Sequence, residues 1–401
     1  MSSAVATRPE SGALALTDHD RRGLAERLLE ATGMRMATCE RTAARALRVA
    51  FRDDDGGPWD EETLSKAGIG AWARPTLLGL SPAPRLELAE KAPSADGTIR
   101  LLFRTVDGAL VESVIIPTAD GRRTARTTLC ISSQVGCARA CTFCETGRHG
   151  YSRQLSAGEI VDQVRLAARI CVADAPTDLR TSPGPQERRG AASEHSSNRP
   201  ITNIVFMGMG EPFDNLREVL RAVSLLTDDV AFAYPASRIT VSTVGVADKF
   251  SAFYASTKAE LAISIHAPDD ARRTAIMPIN ERFDLLTLRD ALLKAKPANR
   301  RVLFQYVLFA GFNDSEADAD LLAEYVAPVR CRVNLIPANP GPAPQLVAPA
   351  AGRVDAFVAR LNGHGVTTLL RRPRGRDVGG ACGQLAGVRR LDLAPVGPPC
   401  P

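Results

Sequence analysis

Val135-Gly-Cys-Ala-Arg-Ala-Cys-Thr-Phe-Cys-Glu145 places Cys137, Cys141 and Cys144 in a C-x3-C-x2-C spacing. A structural zinc site closes with four protein ligands, whereas an iron-sulfur cubane held by three thiolates leaves one iron open to a small molecule. The spacing therefore points to a centre that binds and acts on something. Three cysteines also suit a packed core or a partial zinc site. The context weighs against that reading, because Gly136, Gly147 and Gly150 frame a tight turn that admits close backbone approach to an inorganic core.

Upstream of this loop, Ile99 to Arg104, Val111 to Pro117 and Thr127 to Ser133 read as strands, so the cysteines follow a strand. Downstream, Ser156-Ala-Gly-Glu159 has capping-box spacing ahead of an apolar helical face from Ile160 to Ile170. Strands and helices then alternate. The strands are Asn203 to Met207, Arg238 to Thr243, Leu261 to Ile265, Val302 to Leu308, Arg332 to Ile336 and Val366 to Leu370. Helical periods lie near Leu216 to Leu226 and Leu285 to Lys296, after Asn313, and near Val354 to Leu361. Such alternation builds a parallel sheet, and right-handed crossovers curl it into an α/β partial (βα)6 barrel.

Residues 1–98 read as a separate, small helical N-terminal accessory domain, with helices over Asp20 to Ala31 and Arg41 to Phe51 broken at Asp53 to Pro58. Residues 99–387 form the core and 388–401 a tail, while about 173–200, rich in Pro, Ser, Arg and Gly, reads as a flexible insertion. The charge balance is +5, from 50 Lys and Arg against 45 Asp and Glu, which permits an anionic partner without requiring one. Nine cysteines with three in a metal spacing fit a reducing compartment. Met1 to Asp20 has no apolar core of signal-peptide length and no run approaches a membrane span, so a cytoplasmic protein is expected.

Chemistry in such barrels collects where the strands end. There the sequence puts Gly208-Met-Gly-Glu-Pro212, Ser242, Ser264, Ile265 and His266, and, after Asn334-Leu-Ile-Pro337, Asn339. Gly210 offers bare backbone, Glu211 a carboxylate for an amine, and Ser242, Ser264 and Asn339 hydrogen bonds for a ribose or carboxylate. Each alone is weak: a glycine turn, a strand end, a histidine satisfied inside a core.

Together with the cysteine loop, these stretches resemble the radical S-adenosylmethionine (SAM) superfamily, and within it the RNA adenine methyltransferases of the RlmN/Cfr family. Supporting segments are Thr128 to Cys137, Arg199 to Asn203, Ile263 to Pro268, Pro278-Ile-Asn280 and Ala381-Cys-Gly-Gln-Leu-Ala-Gly387. The resemblance spans about Leu86 to Gly387. It implies a radical-SAM-type barrel whose Cys137, Cys141 and Cys144 hold a 4Fe-4S cluster, with SAM lined by Gly210, Glu211, Ser242, Ser264, Ile265, His266 and Asn339. It further implies that Cys382 is the cysteine that becomes methylated, Cys130 its resolving partner and Glu112 the proton acceptor. The accessory domain would help hold RNA.

The implied chemistry has a physical logic. The amidine carbon of adenine is electrophilic and cannot simply attack a methyl sulfonium. One SAM would methylate Cys382, and a second, cleaved reductively, would generate the radical that takes hydrogen from that methyl group. The carbon radical adds to the ring, Glu112 removes the ring proton, and Cys130 attacks the Cys382 sulfur to release methylated RNA. An external electron donor and a thiol reductant are therefore implied, together with ribosomal or transfer RNA as substrate, carbon 2 rather than carbon 8 as target, and a monomeric enzyme. Without the resemblance, Cys130 reads as a buried strand residue, Cys382 as part of a glycine-rich turn and Glu112 as a strand's solvent face.

Arg371-Arg-Pro-Arg-Gly-Arg376 sits just ahead of Cys382 and is expected to grip a phosphate backbone. A radical SAM enzyme acting on a peptide or small metabolite is the alternative. It would use the cluster and SAM residues equally but would have no need of Cys130 and Cys382.

Overall fold

The computed structural model of the chain describes residues 15–52, 59–80, 84–118, 126–174 and 199–386. Twelve strands are present among them: β1 (Leu86–Pro93), β2 (Ile99–Thr105), β3 (Leu110–Thr118), β4 (Arg126–Cys130), β5 (Gln134–Gly136), β6 (Tyr151–Gln154), β7 (Asn203–Phe206), β8 (Ile239–Thr243), β9 (Glu260–Ser264), β10 (Val302–Leu308), β11 (Cys331–Pro337) and β12 (Thr368–Leu370). Ten make one sheet in the order β1-β2-β3-β4-β7-β8-β9-β10-β11-β12, and β5 pairs with β6 in a separate hairpin.

From β4 onward every pairing is parallel, with helices in the crossovers. Six parallel strands, β4 to β11 without the hairpin, carry the expected alternation, and the short β12 adds a seventh at the edge. Apolar residues cover both faces of such strands. All four residues of β7 are buried, as are the last four of β9, which is why these segments read as unbroken apolar runs.

The antiparallel arm β1-β2-β3-β4 precedes the parallel part. Its outer strand, β1, lies within the segment assigned by sequence to the accessory unit. It alternates apolar and charged residues, carries an irregularity between Leu88 and Glu90 and is largely exposed, so its pattern is that of an edge. β4 stops at Cys130 rather than Ser133. The next residues turn to meet the end of β7, where Ser132 Oγ accepts from Met209 N at 2.8 Å and donates to Glu112 O at 2.6 Å.

The expected helices are present with shifted ends. The first spans Arg21–Thr32, with Asp20 as its cap accepting from Gly23 N. The second spans Met36–Arg52, starting earlier than expected because Cys39, Ala43, Ala46, Leu47 and Ala50 form one buried stripe. The Ser156/Glu159 capping box is made in both directions, at 3.2 and 2.9 Å, and opens helix Ala157–Asp174. That helix receives the N-terminal segment: Asp162 accepts from Arg85 N, just before β1, at 2.6 Å, Gly158 N donates to Asp18, and Arg165 donates to Ala50 O of the second helix. The expected insertion falls almost wholly on residues 175–198, which with Asp53 to Pro58, Gly387 and the tail lie outside the described residues. Among the described residues no helix is long and apolar enough to cross a membrane.

The β5–β6 hairpin brackets the cysteine loop and closes only at a glycine. Gly136 has φ 77°, and a Cβ there would stand 2.0 Å from Gly150 O. Gly136→Ala is expected to cost about 2 kcal/mol for the left-handed backbone alone, with the clash added. The thermal midpoint should fall by several degrees and Cys137 should react faster with a maleimide. An unchanged melt with unchanged thiol reactivity would show that the hairpin does not need this geometry.

Candidate active site

Cys137, Cys141 and Cys144 all line one cavity at the carboxyl ends of the parallel strands, of about 1030 Å³ counting its open mouth. The cysteine loop is fixed by backbone bonds at both ends and in the middle. Cys137 N donates to Gly150 O (2.7 Å), Thr142 N to Ile276 O (3.1 Å), Cys144 N to Cys141 O (3.0 Å) and Glu145 N to Gly383 O (2.8 Å).

Burial raises the pKa of all three thiols, Cys137 to about 12, with neighbouring negative groups adding to the rise at Cys137 and Cys141. A thiolate set of this kind is stabilised by the positive charge of the metal it ligates. Among the described residues no three His, Cys, Asp or Glu side chains are placed to hold a single metal ion. The three thiols instead stand around a cavity, an arrangement that suits a polynuclear core with one ligand position left for the cavity.

The strand ends supply the rest of the wall. Gly210 (φ 97°) packs its bare Cα against Gln134, where a Cβ would come within 2.6 Å. Glu211 is buried, accepting from Phe213 N and Val244 N, both at 2.8 Å. Burial outweighs these bonds and pushes its carboxyl up to about 7. Ser242 and Ser264 end β8 and β9 and face the cavity. His266 also lines it, in a left-handed conformation (φ 58°), with Nδ1 accepting from Val307 N at 3.1 Å. Burial pulls its pKa down to about 3, so it is a neutral ring, and Phe143 of the cysteine loop packs edge-on against it.

Asn339 lines the cavity too, and its amide joins loops: Nδ2 donates to Cys382 O at 3.1 Å and Oδ1 accepts from Arg376 at 2.8 Å. Ile265 is the exception. Its side chain is buried outside the cavity lining, and its backbone bonds to Gln305 O and Arg273.

Cys382 and Gly383 line the same cavity, so the carboxyl-terminal loop closes over the cysteine loop. The glycines before Cys382 rest on the antiparallel arm, where a Cβ on Gly380 would meet Val114 at 3.4 Å and Arg100 at 3.7 Å. Val114 pairs with Cys130, and strand alternation sets Glu112 on the same face. Glu112 is buried with Arg100 Nη1 3.4 Å from its Oε1, and neither Glu112 nor Cys130 lines the cavity. Cys130 and Cys382 are both free thiols. Burial drives Cys130 up to about 12, Cys382 adds to that, and Arg371 opposes it. Cys382 thus lines the cavity and is electrostatically coupled to Cys130 and Arg371 behind it.

The arginine run does not form the free basic grip expected from sequence. Arg371 faces the two thiols, and its Nη1 lies 3.8 Å from Met207 Sδ. Arg374 donates to Pro117 O and Asp96 O, and Arg376 to Ala338 O and Asn339. Their first use is to tie down the loop that carries Cys382, because backbone carbonyls at strand ends are the nearest acceptors. Only Arg372 and Arg376 of the run are exposed. Two other residues escaped the sequence reading: Arg100 beneath the loop, and Arg273 behind the cavity.

No family model matches the chain. It is 58% identical over 379 residues to a probable RNA methyltransferase of Sorangium cellulosum, covering 94% of this chain and 88% of that protein. A dual-specificity RNA methyltransferase RlmN of Anaeromyxobacter sp. (strain Fw109-5) is 41% identical over 363 residues, 90% of this chain and 88% of its own. Its counterpart in Anaeromyxobacter dehalogenans is 43% identical over 302 residues, 75% of each. Among solved structures, a radical SAM methyltransferase from Sphaerobacter thermophilus superposes with a TM-score of 0.74 at 35% identity, covering 94% of this chain and all of that one.

The Glu211 carboxyl gives the site a pH signature. An ammonium is received by the ionised form, which is present above about pH 7 and lost as the pH falls through that value. With SAM as the probe, calorimetry should show affinity falling by up to about tenfold per pH unit below 7. Glu211→Gln should bind weakly with a flat pH profile. A wild-type affinity that does not change between pH 8 and pH 6 would take Glu211 out of the ammonium site.

Proposed function

Because the chain belongs to the RlmN/Cfr family of radical SAM RNA methyltransferases, we propose that it methylates a ring carbon of an adenine in ribosomal or transfer RNA, carbon 2 rather than carbon 8, through a methyl group carried on Cys382. The observation that carries this reading is that Cys382 lines the three-thiol cavity while Gly380, two residues before it, packs on Val114, the register partner of Cys130. A radical SAM enzyme that abstracts hydrogen directly from a peptide or metabolite has no use for such a sulfur.

Cys137, Cys141 and Cys144 would hold a 4Fe-4S cluster, which supplies the electron for reductive cleavage of SAM. The chain's own residues do the rest. Glu211 takes the ammonium of SAM, and Ser242, Ser264 and Asn339 offer hydrogen bonds to its polar groups, while Gly210 lets the ligand lie against backbone. His266 serves as a neutral donor or acceptor, since burial denies it a charge.

Cys382 accepts the methyl group as a thiolate aligned with the sulfonium. Glu112 takes the ring proton. Cys130 then attacks the Cys382 sulfur, the bond from that sulfur to the RNA-borne carbon breaks, and a Cys130–Cys382 disulfide remains for a two-electron thiol reductant to reopen. The burial of Cys130 keeps it protonated until then, and Arg371 is the cation that eases its ionisation. The target adenine has to leave its stack to reach a sulfur set this deep, which favours loops over continuous duplex.

Mass spectrometry of protein made with SAM available should find a methyl group on the peptide containing Cys382 and on no other cysteine. Cys130→Ala should accumulate a covalent RNA adduct, visible as a nuclease-sensitive band shift. A Cys382 peptide that is never methylated refutes the carrier role, and absence of the adduct with Cys382 methylated and the cluster loaded removes Cys130 from the release step.

A further inference from the structure

We propose that Arg273 is a positioning residue of this site: its buried guanidinium fixes the ends of β8 and β9 from behind the cavity and sets a positive charge, hydrogen-bonded to no carboxylate, on the helix that touches the three-thiol loop. The redox part of this proposal rests on the reading that Cys137, Cys141 and Cys144 hold a 4Fe-4S cluster.

Arg273 is the largest fully buried side chain among the described residues, in helix Asp270–Ile276 just after β9. Its fork makes five bonds. Nε donates to Ile265 O at 3.3 Å; Nη1 to Asn280 Oδ1 at 2.6 Å and Phe283 O at 3.2 Å; Nη2 to Val244 O at 2.7 Å and Ser264 O at 3.3 Å. Val244 and Ser264 line the cavity, so two segments of the ligand wall are pulled onto one side chain. Both chains wrap tightly there: Gly245 has φ 107° and His266 φ 58°. A Cβ on Gly245 would stand 3.2 Å from Nη2.

None of these five acceptors is charged. The carboxylate of Asp270, one helical turn away, is taken by Asn280 Nδ2 and Leu285 N. Burial pulls the Arg273 pKa down, yet a guanidinium does not lose its proton in a protein. Neutral carbonyls alone are a poor return for burying a cation, which costs several kcal/mol. The same helix touches the cysteine loop, where Thr142 N bonds Ile276 O, and Tyr325, Cys141 and Asp270 all favour the charged form of Arg273. A positive charge there stabilises the more negative, reduced state of a thiolate-bound centre and raises its potential.

The test uses full-length protein, loaded anaerobically with iron and sulfide, as wild type, Arg273→Lys and Arg273→Met. Two quantities are read: the reduced fraction in a spectroscopic redox titration and the affinity for SAM by calorimetry. Arg273→Met should lower the ratio of reduced to oxidised centre about tenfold at a fixed potential, about 59 mV for one electron, and weaken SAM about tenfold. Arg273→Lys should keep the potential and still weaken SAM, because it has the charge without the fork. Arg273→Met with both quantities unchanged overturns the proposal. If Arg273→Met does not fold, Arg273→Lys decides: weaker SAM binding at an unchanged potential supports it, and unchanged SAM binding overturns it. A wild-type protein that takes up no iron overturns the cluster reading and the redox half with it, while SAM affinity in Arg273→Lys still judges the positioning half.

Discussion

The hydrogen bond from Glu145 N to Gly383 O joins the two loops that hold every cysteine lining the cavity. One loop is stitched into the sheet; the other, rich in glycine, has little order of its own. Thr146 Oγ1 to Leu385 O at 2.6 Å, Asn339 to Cys382 O and Gln384 to Pro340 O add to the same seam. Each such bond contributes about 1 kcal/mol net, close to what ordering one residue costs. The seam therefore holds Cys382 at the cavity mouth.

The same economy explains the arginines before it. A guanidinium can bind phosphate or a ring of carbonyls, and here Arg374 and Arg376 reach strand-end carbonyls while Asp96 and Asp377 take up the loop's backbone and the Ser94 turn. A linear run of positive charge says nothing about which acceptors lie within reach. Its spacing was legible, but its use depended on a turn of β1–β2 far away in sequence.

The limits of sequence reading follow from the range of the interaction that decides each feature. The cysteine spacing, the capping box at Ser156 and the buried parallel strands are local, and each matches its observed geometry. The convergence of Glu211, Ser242, Ser264, His266 and Asn339 on one cavity follows from topology, since parallel strands end on the same side. Ile265 differs from its neighbours because it follows Ser264 at the end of β9 with its side chain turned into the core, while Ser264 and His266 line the cavity. β1 was missed because an exposed edge has no apolar signature, and its pairing partner alone makes it a strand. Arg273 was invisible for a different reason: on a helical wheel it is one more polar residue beside Arg272, which does bond carboxylates at the surface.

That contrast between neighbours leads to a symmetry in the site. Arg272 is paired with Asp269 and Asp318, and Arg139 with Asp214, so these two arginines near the cavity are neutralised. Among the described residues Arg273 and Arg371 have no ion-pair carboxylate, and each lies by sulfur: Arg273 near Cys141, Arg371 near Cys130 and Cys382. They come from different elements, one from the helix after β9 and the other from the end of β12. A guanidinium with no bonded carboxylate keeps more of its field for its other neighbours than one held in an ion pair, so these two are the cations whose charge is felt most at the sulfur-lined mouth.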